Sequence, residues 1–383
     1  MDIGLGECRI GQPPGCHSSR RKQQSHADGH DRPLGHDLEG YVDTSAHWNF
    51  GTGNANLPAI GPNGSSGSSK ADGFNLNVVA ITLSHPPGEG DWSAGYNATL
   101  LYGPDAVGYN NTFGTAANDF SLKDAYVELK TPIGNGLDIK VGTFAQPLGY
   151  EVYETGNNPN YTRSYGYEIE PTSLTGIMLA YTFCPVVSAT AGIANVWSAG
   201  VNARANPPMA ESYKAYFGSL TFTAPKDTGF LEGSTLSMGV VNGFDKSVTL
   251  QDKTSLYIGS AMKTPCKELT LGWAFDYVML AKNAVNGSGY QSAVGLYAVW
   301  QPTEKLSFNS RVEYMGESGY LVAASGLQTS KAVEVSETIS YQLWKNVISR
   351  VEFRWDNDAN DTAAFSNGKD NVFLVAANLL YKF

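Results

Sequence analysis

Residues 269–279 read Leu-Thr-Leu-Gly-Trp-Ala-Phe-Asp-Tyr-Val-Met, with a large apolar side chain at every second position. Four of the five intervening positions carry Thr, Gly, Ala or Asp. A period of two places successive side chains on opposite faces of an extended strand. Residues 373–383 repeat the pattern, ending Leu-Leu-Tyr-Lys-Phe. Both stretches therefore predict β-strands with one apolar face and one polar or small-residue face.

The same alternation recurs along the chain from Gly40, in segments of about ten residues separated by Gly, Pro, Asn and Asp clusters. Two segments are irregular. The apolar face switches sides within 74–83, which requires a β-bulge. Glu337 interrupts the apolar face of 330–343, so either the register there is wrong or Glu337 lies near a membrane interface. The sixteen predicted strands are 40–50, 73–84, 91–102, 120–131, 136–144, 175–184, 187–197, 213–224, 234–243, 253–263, 268–281, 289–301, 304–315, 330–343, 346–355 and 370–383.

Composition narrows the class of protein. Only 16% of the 383 residues are charged, against about 25% in soluble domains. No apolar run approaches the roughly 18 residues that a membrane-spanning helix needs, which argues against a helical membrane protein. The net charge of −10 argues against a nucleic-acid partner, which favours a basic surface.

The connectors favour a membrane barrel over a soluble sandwich or propeller. Short turns such as 132–136 and 264–267 alternate with long polar loops such as 103–119 and 145–174. Aromatic residues gather near segment ends, as interfacial girdles require. The sequence therefore predicts an all-β transmembrane antiparallel up-and-down barrel of about sixteen strands, with short periplasmic turns and long extracellular loops.

Short phrases at Gly40–Thr44, Leu100–Ala106, Lys123–Val127 and Leu379–Phe383 resemble the bacterial outer-membrane β-barrel porin family of OmpL-like type. The resemblance covers about residues 40–383. It implies a porin in the outer membrane, in contact with lipid and small hydrophilic solutes. It also implies that Tyr381 and Phe383 form a signal for the outer-membrane assembly machinery.

General porins fold the loop at the position of 145–174 into the barrel, and the resemblance implies the same here. The expected pore constriction comprises Glu151, Glu154, Arg163, Glu168 and Glu170. The expected lumen wall opposite comprises Lys140, Arg311, Glu313, Arg350, Glu352 and Arg354. Two alternatives stay open. The loop could cap the mouth, and the wall charges could simply neutralise one another.

Residues 1–39 differ from the rest and are predicted to be a disordered or non-native N-terminal segment, with 40–383 as the porin domain. The segment holds four His and the run Arg20-Arg21-Lys22, without a legible signal peptide. The spacing of His26, His30 and His36 permits a metal site. A disordered tail is the favoured interpretation, because no apolar framework would fix the ligands. No metal or cofactor is predicted.

We consider three functional hypotheses. The first is passive diffusion of small hydrophilic solutes and ions, with a mild cation preference. The second is a structural or adhesive barrel with a plugged lumen whose loops bind partners. The third is an outer-membrane enzyme using His47, for which the sequence offers little, since it lacks a G-x-S-x-G elbow. We predict the first and no enzyme. The sequence leaves monomer and homotrimer open.

Overall fold

The structure is a computed structural model that describes residues 35–50, 72–109, 120–198, 201–206, 209, 211–246, 250–282, 287–318, 331–361 and 369–383. It is a closed barrel in which every strand is antiparallel to its neighbours in the chain, and the first strand pairs with the last. The sixteen strands are β1 Asp37–Phe50, β2 Gly73–His85, β3 Ser93–Tyr102, β4 Phe120–Thr131, β5 Leu137–Ala145, β6 Ser173–Cys184, β7 Val187–Ala194, β8 Ala215–Thr223, β9 Thr235–Phe244, β10 Asp252–Lys263, β11 Leu269–Leu280, β12 Gly289–Trp300, β13 Leu306–Glu317, β14 Lys331–Trp344, β15 Val347–Asp358 and β16 Asn371–Lys382. The predicted fold class and strand number are confirmed.

The ends of the strands differ from their predicted positions by only a few residues. β1 begins at Asp37 rather than at 40, and β15 continues to Asp358 rather than ending at 355. The connector 225–233, longer than the other short turns, contains two short 3₁₀ stretches within Lys226–Leu231, separated by a kink at Gly229. Within the described ranges no helix is long and apolar enough to cross a membrane. Most of the predicted N-terminal segment lies outside the described residues.

Alternation along each strand separates a buried inner row from an exposed outer row. In β15 the charged side chains of Arg350, Glu352 and Arg354 are buried inside the barrel, whereas Val351 and Phe353 are exposed on the outside. Soluble proteins have the opposite arrangement, with apolar side chains inside and charged side chains outside. Charged residues are almost never fully buried unless they are paired. The interior therefore has to provide partners for these charges.

The bulge predicted in 74–83 is confirmed at Asn77. Asp43 pairs with Val78 and Thr44 with Leu76, so Asn77 has no opposite residue in β1. Its side chain turns inward, where Nδ2 donates to Asp43 Oδ1 at 2.9 Å and Oδ1 accepts from Ser45 Oγ at 2.9 Å. The extra residue is what moves the apolar row of β2 from one parity to the other.

Glu337 keeps the register of β14 and points outward. The pairing with β13 and β15 continues without a shift on either side of it. Its exposed carboxylate accepts a hydrogen bond from Ser310 Oγ at 2.7 Å. The predicted register of this strand is therefore correct, and the polar interruption is a real feature of the outer surface.

The two ends of the barrel chain close on each other at Gly40. The backbone N–H of Gly40 donates to the carbonyl of Phe383, and the N–H of Phe383 donates back to the carbonyl of Gly40, both at 3.0 Å. The Phe383 ring lies so close to Gly40 that a Cβ there would be 2.5 Å from it and 2.4 Å from the Ala80 carbonyl. Only glycine fits at this point of closure.

We expect Gly40→Val to weaken closure by about 2 kcal/mol or more, because the added methyl groups overpack a site bounded by backbone. Urea unfolding in lipid vesicles, followed by tryptophan fluorescence and heat-modifiable gel mobility, measures the effect. Gly35→Val is the matched control, since nothing lies within 4 Å of a Cβ at that position. Equal stability of the two variants would contradict the role given to Gly40.

Candidate functional site: the loop inside the barrel

The connector 145–174 between β5 and β6 folds into the barrel and runs along its inner wall. Its first part crosses to the far side, where the Leu148 side chain approaches Gly239 of β9 so closely that a Cβ there would be 2.4 Å away. Tyr150 then stacks on Tyr297 of β12 with ring centroids 4.1 Å apart. Small residues on the wall thus make room for large side chains of the loop.

Arg311 of β13 is the first anchor of the loop. Its Nη1 lies 2.8 Å from Glu151 Oε1 and also donates to the Thr162 carbonyl at 2.8 Å. On the wall itself, its Nε and Nη2 each donate to the Glu334 carboxylate at 3.1 Å. The buried guanidinium of Arg311 therefore joins both halves of the loop, at Glu151 and at Thr162, to β13 and β14.

Glu352 of β15 is the second anchor. Its carboxylate accepts hydrogen bonds from the backbone N–H of Tyr161 at 2.5 Å and of Thr162 at 3.0 Å. The Thr338 hydroxyl of β14 donates to the same group at 2.6 Å. Backbone donors of an irregular segment buried inside a barrel need such partners, since an unsatisfied buried N–H costs about 1–3 kcal/mol.

Two more arginines of β15 hold loop carbonyls. Arg350 Nη1 donates to the carbonyls of Thr155 at 2.9 Å and Asn160 at 3.2 Å. Arg354 Nη1 donates to the Arg163 carbonyl at 2.7 Å, while its other nitrogens donate to Asp356. The wall thus supplies donors where the loop offers carbonyls.

A short helix, α1 (Tyr165–Ile169), marks the turn of the loop towards β6. Ser164 caps it, its side chain accepting from the Tyr167 N–H at 3.0 Å. Glu313 of β13 accepts from the N–H groups of Tyr165 at 2.7 Å and Gly166 at 3.3 Å. The first N–H groups of a helix have no partner within it, so a carboxylate beside them is favourable.

The loop–wall contact is a buried charge network. Its members, each at most 3% exposed, are Glu151, Arg163, Arg311, Glu313, Glu334, Arg350, Glu352, Arg354 and Asp356. Removing so many charges from water is costly unless each finds partners, and losing one partner of such a pair is strongly destabilising. The network therefore specifies one position for the loop.

Glu170 sits at the end of the loop against the carboxylate of Asp276 on β11. Gln146 Nε2 donates to Glu170 Oε2 at 3.0 Å, and a Cβ at Gly149 would lie 2.3 Å from the same oxygen. Burial, and then the repulsion from Asp276, raise the pKa of Glu170 well above its usual range. Two buried carboxyl groups can lie side by side when one proton remains bound to the pair.

The predicted site residues occupy different environments. Glu151, Arg163 and Glu170 of the loop are buried, whereas Glu154 and Glu168 are partly exposed; Glu154 pairs with Lys123 of β4 at 2.8 Å. The wall arginines contact the loop directly instead of facing it across an opening. Glu313 and Glu352, each two residues after an arginine of the wall, accept hydrogen bonds from backbone N–H groups of the loop. Lys140 lies elsewhere on the wall, beside Tyr126 and 3.9 Å from Glu128.

Sequence reasoning missed several residues of the site. Asn160 donates to Thr338 Oγ1 at 2.7 Å, and Glu334 and Asp356 bind the wall arginines. Glu334 could have been found, because the period-two pattern places it on the same inner row as other polar residues. Asn160 gives no such signal, since an irregular loop has no period.

His47, the basis of the enzyme hypothesis, is fully buried on the inner row of β1. Its cross-strand neighbours are Gly73 of β2 and Ala376 of β16, neither of which carries a nucleophile. Among the residues that the structure describes, no group of three or more His, Cys, Asp or Glu side chains is arranged to hold a metal ion.

A closed sixteen-stranded barrel that holds a long loop against its inner wall is the architecture of an outer-membrane porin. The sequence matches the family described as "Putative beta-barrel porin-2, OmpL-like" over residues 35–383. The chain belongs to this family, and it is a protein of the bacterial outer membrane. A search of curated proteins found no matching relative.

Solved structures with the same fold are outer-membrane proteins. An anion-selective porin from Comamonas acidovorans is 14% identical with a TM-score of 0.59, covering 91% of this chain and 99% of its own. The channel DcaP of Acinetobacter baumannii is also 14% identical with a TM-score of 0.59, covering 91% and 97%. OmpT of Vibrio cholerae in its trimer form is 10% identical with a TM-score of 0.57, covering 91% and 99%. Identities this low establish the fold alone.

We expect Glu352→Ala to loosen the loop, because the N–H groups of Tyr161 and Thr162 lose their acceptor at a cost of about 2 kcal/mol or more. Single-channel recordings would show larger current fluctuations than the wild type. Glu304→Ala, in the exposed turn between β12 and β13, is the matched control and leaves the recordings unchanged. Identical noise in Glu352→Ala and the wild type would show that this anchor does not fix the loop.

The docked loop is expected to lose stability as pH rises from the ordinary Glu value, about 4.5, through the raised pKa of Glu170. Docking buries Glu170 and therefore favours its protonated form. Raising the pH removes that proton, so it weakens docking. Glu170→Gln removes this pH dependence, whereas Glu168→Gln, on the partly exposed neighbour, keeps it. Current noise recorded as a function of pH distinguishes them, and a pH dependence that survives Glu170→Gln would assign it to another group.

Proposed function

We propose that the protein lets small hydrophilic solutes and ions diffuse passively across the outer membrane, through a lumen narrowed by the loop 145–174. The observation that carries the proposal is the position of the loop: Arg311, Arg350 and Glu352 fix it to the inner wall of β13–β15. A loop that lies inside the barrel and contacts its wall on several sides narrows the passage, whereas a loop lying over the mouth would cap it. Membership of a porin family supports the same function.

The inner wall away from these anchors has the chemistry of a wet passage. Inward side chains of β4–β9 near the short turns are polar and partly exposed, in contrast to the fully buried charges under the loop. They are Glu128, Lys140, Thr190, Ser219, Thr221 and Ser237. Hydroxyl groups of this kind exchange hydrogen bonds with passing solutes at little cost, which suits uncharged hydrophilic molecules as well as ions.

The proposal includes a mild preference for cations. The guanidinium groups of Arg311 and Arg354 are fully buried and paired with carboxylates, so they contribute little positive field to the passage. Glu168 is partly exposed on the loop, as is Glu154, which shares the single cation Lys123 with Asp124, so that this group keeps a net negative charge. Fixed carboxylates beside a narrow passage attract cations and repel anions, in line with the net charge of −10.

Refolded protein in planar bilayers tests the proposal through single-channel steps and reversal potentials in a salt gradient. We expect open steps and a reversal potential of the sign for cations. The double variant Glu154→Gln/Glu168→Gln shifts it towards zero and Lys140→Gln shifts it further towards cations, while Glu304→Gln at a turn leaves it unchanged. Clear anion selectivity would refute the cation preference alone.

The alternative is a plugged barrel whose extracellular loops bind partners. It is favoured by an apolar cluster on the inner rows, where Val278, Leu280 and Met315 are buried against Tyr165 and Ile169 of the loop. In that case no conductance steps appear although the barrel is folded, as judged by heat-modifiable gel mobility. That result would refute the channel and support this alternative.

Assembly and insertion form the last part of the proposal. Tyr381 lies on the exposed outer row of β16, and Phe383, one residue beyond the strand, is exposed as well, so the assembly machinery could engage both. A homotrimer is proposed because a structural neighbour, OmpT of Vibrio cholerae, is described in trimer form. The molecular mass in detergent, measured by light scattering, separates a trimer from a monomer.

A further inference from the structure

Three ring side chains form one cross-strand row at the short-turn rim of the barrel. Asp37 of β1 pairs with Ser84 of β2, so His36, one residue earlier, comes opposite His85. His85 in turn pairs directly with Tyr96 of β3. Directly opposed residues of antiparallel strands have Cβ atoms only about 5 Å apart, and these three share the outer face.

The two imidazole rings have the spacing of a pair that shares one ion. Their centroids are 5.6 Å apart with an interplanar angle of 61°. Two imidazoles that bind one tetrahedral ion through Nε2, at metal–nitrogen distances of about 2.0 Å, bring their ring centroids to about 5 Å. Small side-chain rotations at this water-accessible rim cover the difference, since His36 is exposed and His85 only half-buried.

Both rings use Nδ1 for their hydrogen bonds, so Nε2 is the atom of each ring that can bind a metal ion. His85 Nδ1 lies 3.0 Å from the Gly35 carbonyl, which can only accept, so Nδ1 carries the proton and Nε2 carries the lone pair. His36 Nδ1 lies 2.9 Å from the Tyr96 hydroxyl, which can accept in the same way. Metal-binding histidines almost always donate their other ring N–H to such a partner, which fixes the tautomer and the ring.

We propose that His36 and His85 bind one divalent transition-metal ion of the class that prefers imidazole, such as Zn²⁺, Ni²⁺ or Cu²⁺, through their Nε2 atoms. Solvent completes the coordination shell, because the described residues offer no third His, Cys, Asp or Glu ligand in a metal-binding arrangement. The site is separate from the lumen and does not depend on the channel function. A bound ion would tie the residue before β1 to the last residue of β2.

The test uses Cu²⁺ as the probe on the full-length refolded protein, with electron paramagnetic resonance as the readout. His17, His26 and His30 are first changed to Ala, so that the N-terminal segment contributes no imidazole. This background variant is expected to bind one equivalent of Cu²⁺ with a two-nitrogen hyperfine pattern. Adding either His36→Ala or His85→Ala lowers the affinity at least about tenfold and leaves at most one imidazole nitrogen.

The controls separate a built site from general histidine binding. His47→Gln, which removes the buried histidine inside the barrel, keeps both affinity and spectrum. Tyr96→Phe removes an orienting partner but no ligand, so it weakens binding less than either histidine change while keeping two nitrogens. Heat-modifiable mobility confirms that every variant is folded. The proposal is overturned if the background variant shows no two-nitrogen Cu²⁺ signal, or if His36→Ala and His85→Ala leave it unchanged.

Discussion

Lipid offers no hydrogen bonds to a polypeptide backbone, and this constraint underlies the whole molecule. A sheet inside a bilayer can satisfy its edges only by closing on itself. Here the closing bonds join Gly40 to the terminal Phe383, at a point where only a residue without a side chain fits beneath the terminal ring. Once closed, the wall has an inner face shielded from lipid, where charged side chains can pair with one another, with the loop or with water.

The inner face uses this freedom to position an irregular segment. Loop 145–174 has no ladder of its own, so its backbone groups depend on side chains of the wall. Arginines meet its carbonyls and carboxylates meet its N–H groups, as Arg350 and Glu352 do on successive inward positions of one strand. Wall groups such as Arg350 and Glu352 have their loop partners only while the loop is docked, and those charges in turn hold the loop in place. Shape and electrostatics of the passage are therefore coupled.

The sequence was sufficient for the barrel but only partly for the site. Period-two alternation is a strong signal because lipid and lumen impose opposite chemistry on neighbouring residues, and even the bulge at Asn77 left a trace as a switch of parity. The inward charges Arg311, Arg350 and Arg354 were visible for the same reason. Which of them would touch the loop was not, because pairing between distant segments leaves no local pattern; Lys140 has the same parity yet lies apart.

The sequence distance between the loop and its anchors has a consequence for biogenesis. Hydrogen bonds between the loop and strands β13–β15 join residues 147 to 195 positions apart, such as Gly166 with Glu313 and Thr155 with Arg350. Closing so long an intervening chain is slow and entropically costly. Whichever end of the barrel forms first, the loop lacks its arginine and glutamate anchors until strands β13–β15 are in place. The passage through the nascent barrel is therefore wider than the passage through the finished one, and its narrowing by the loop is among the last events of maturation.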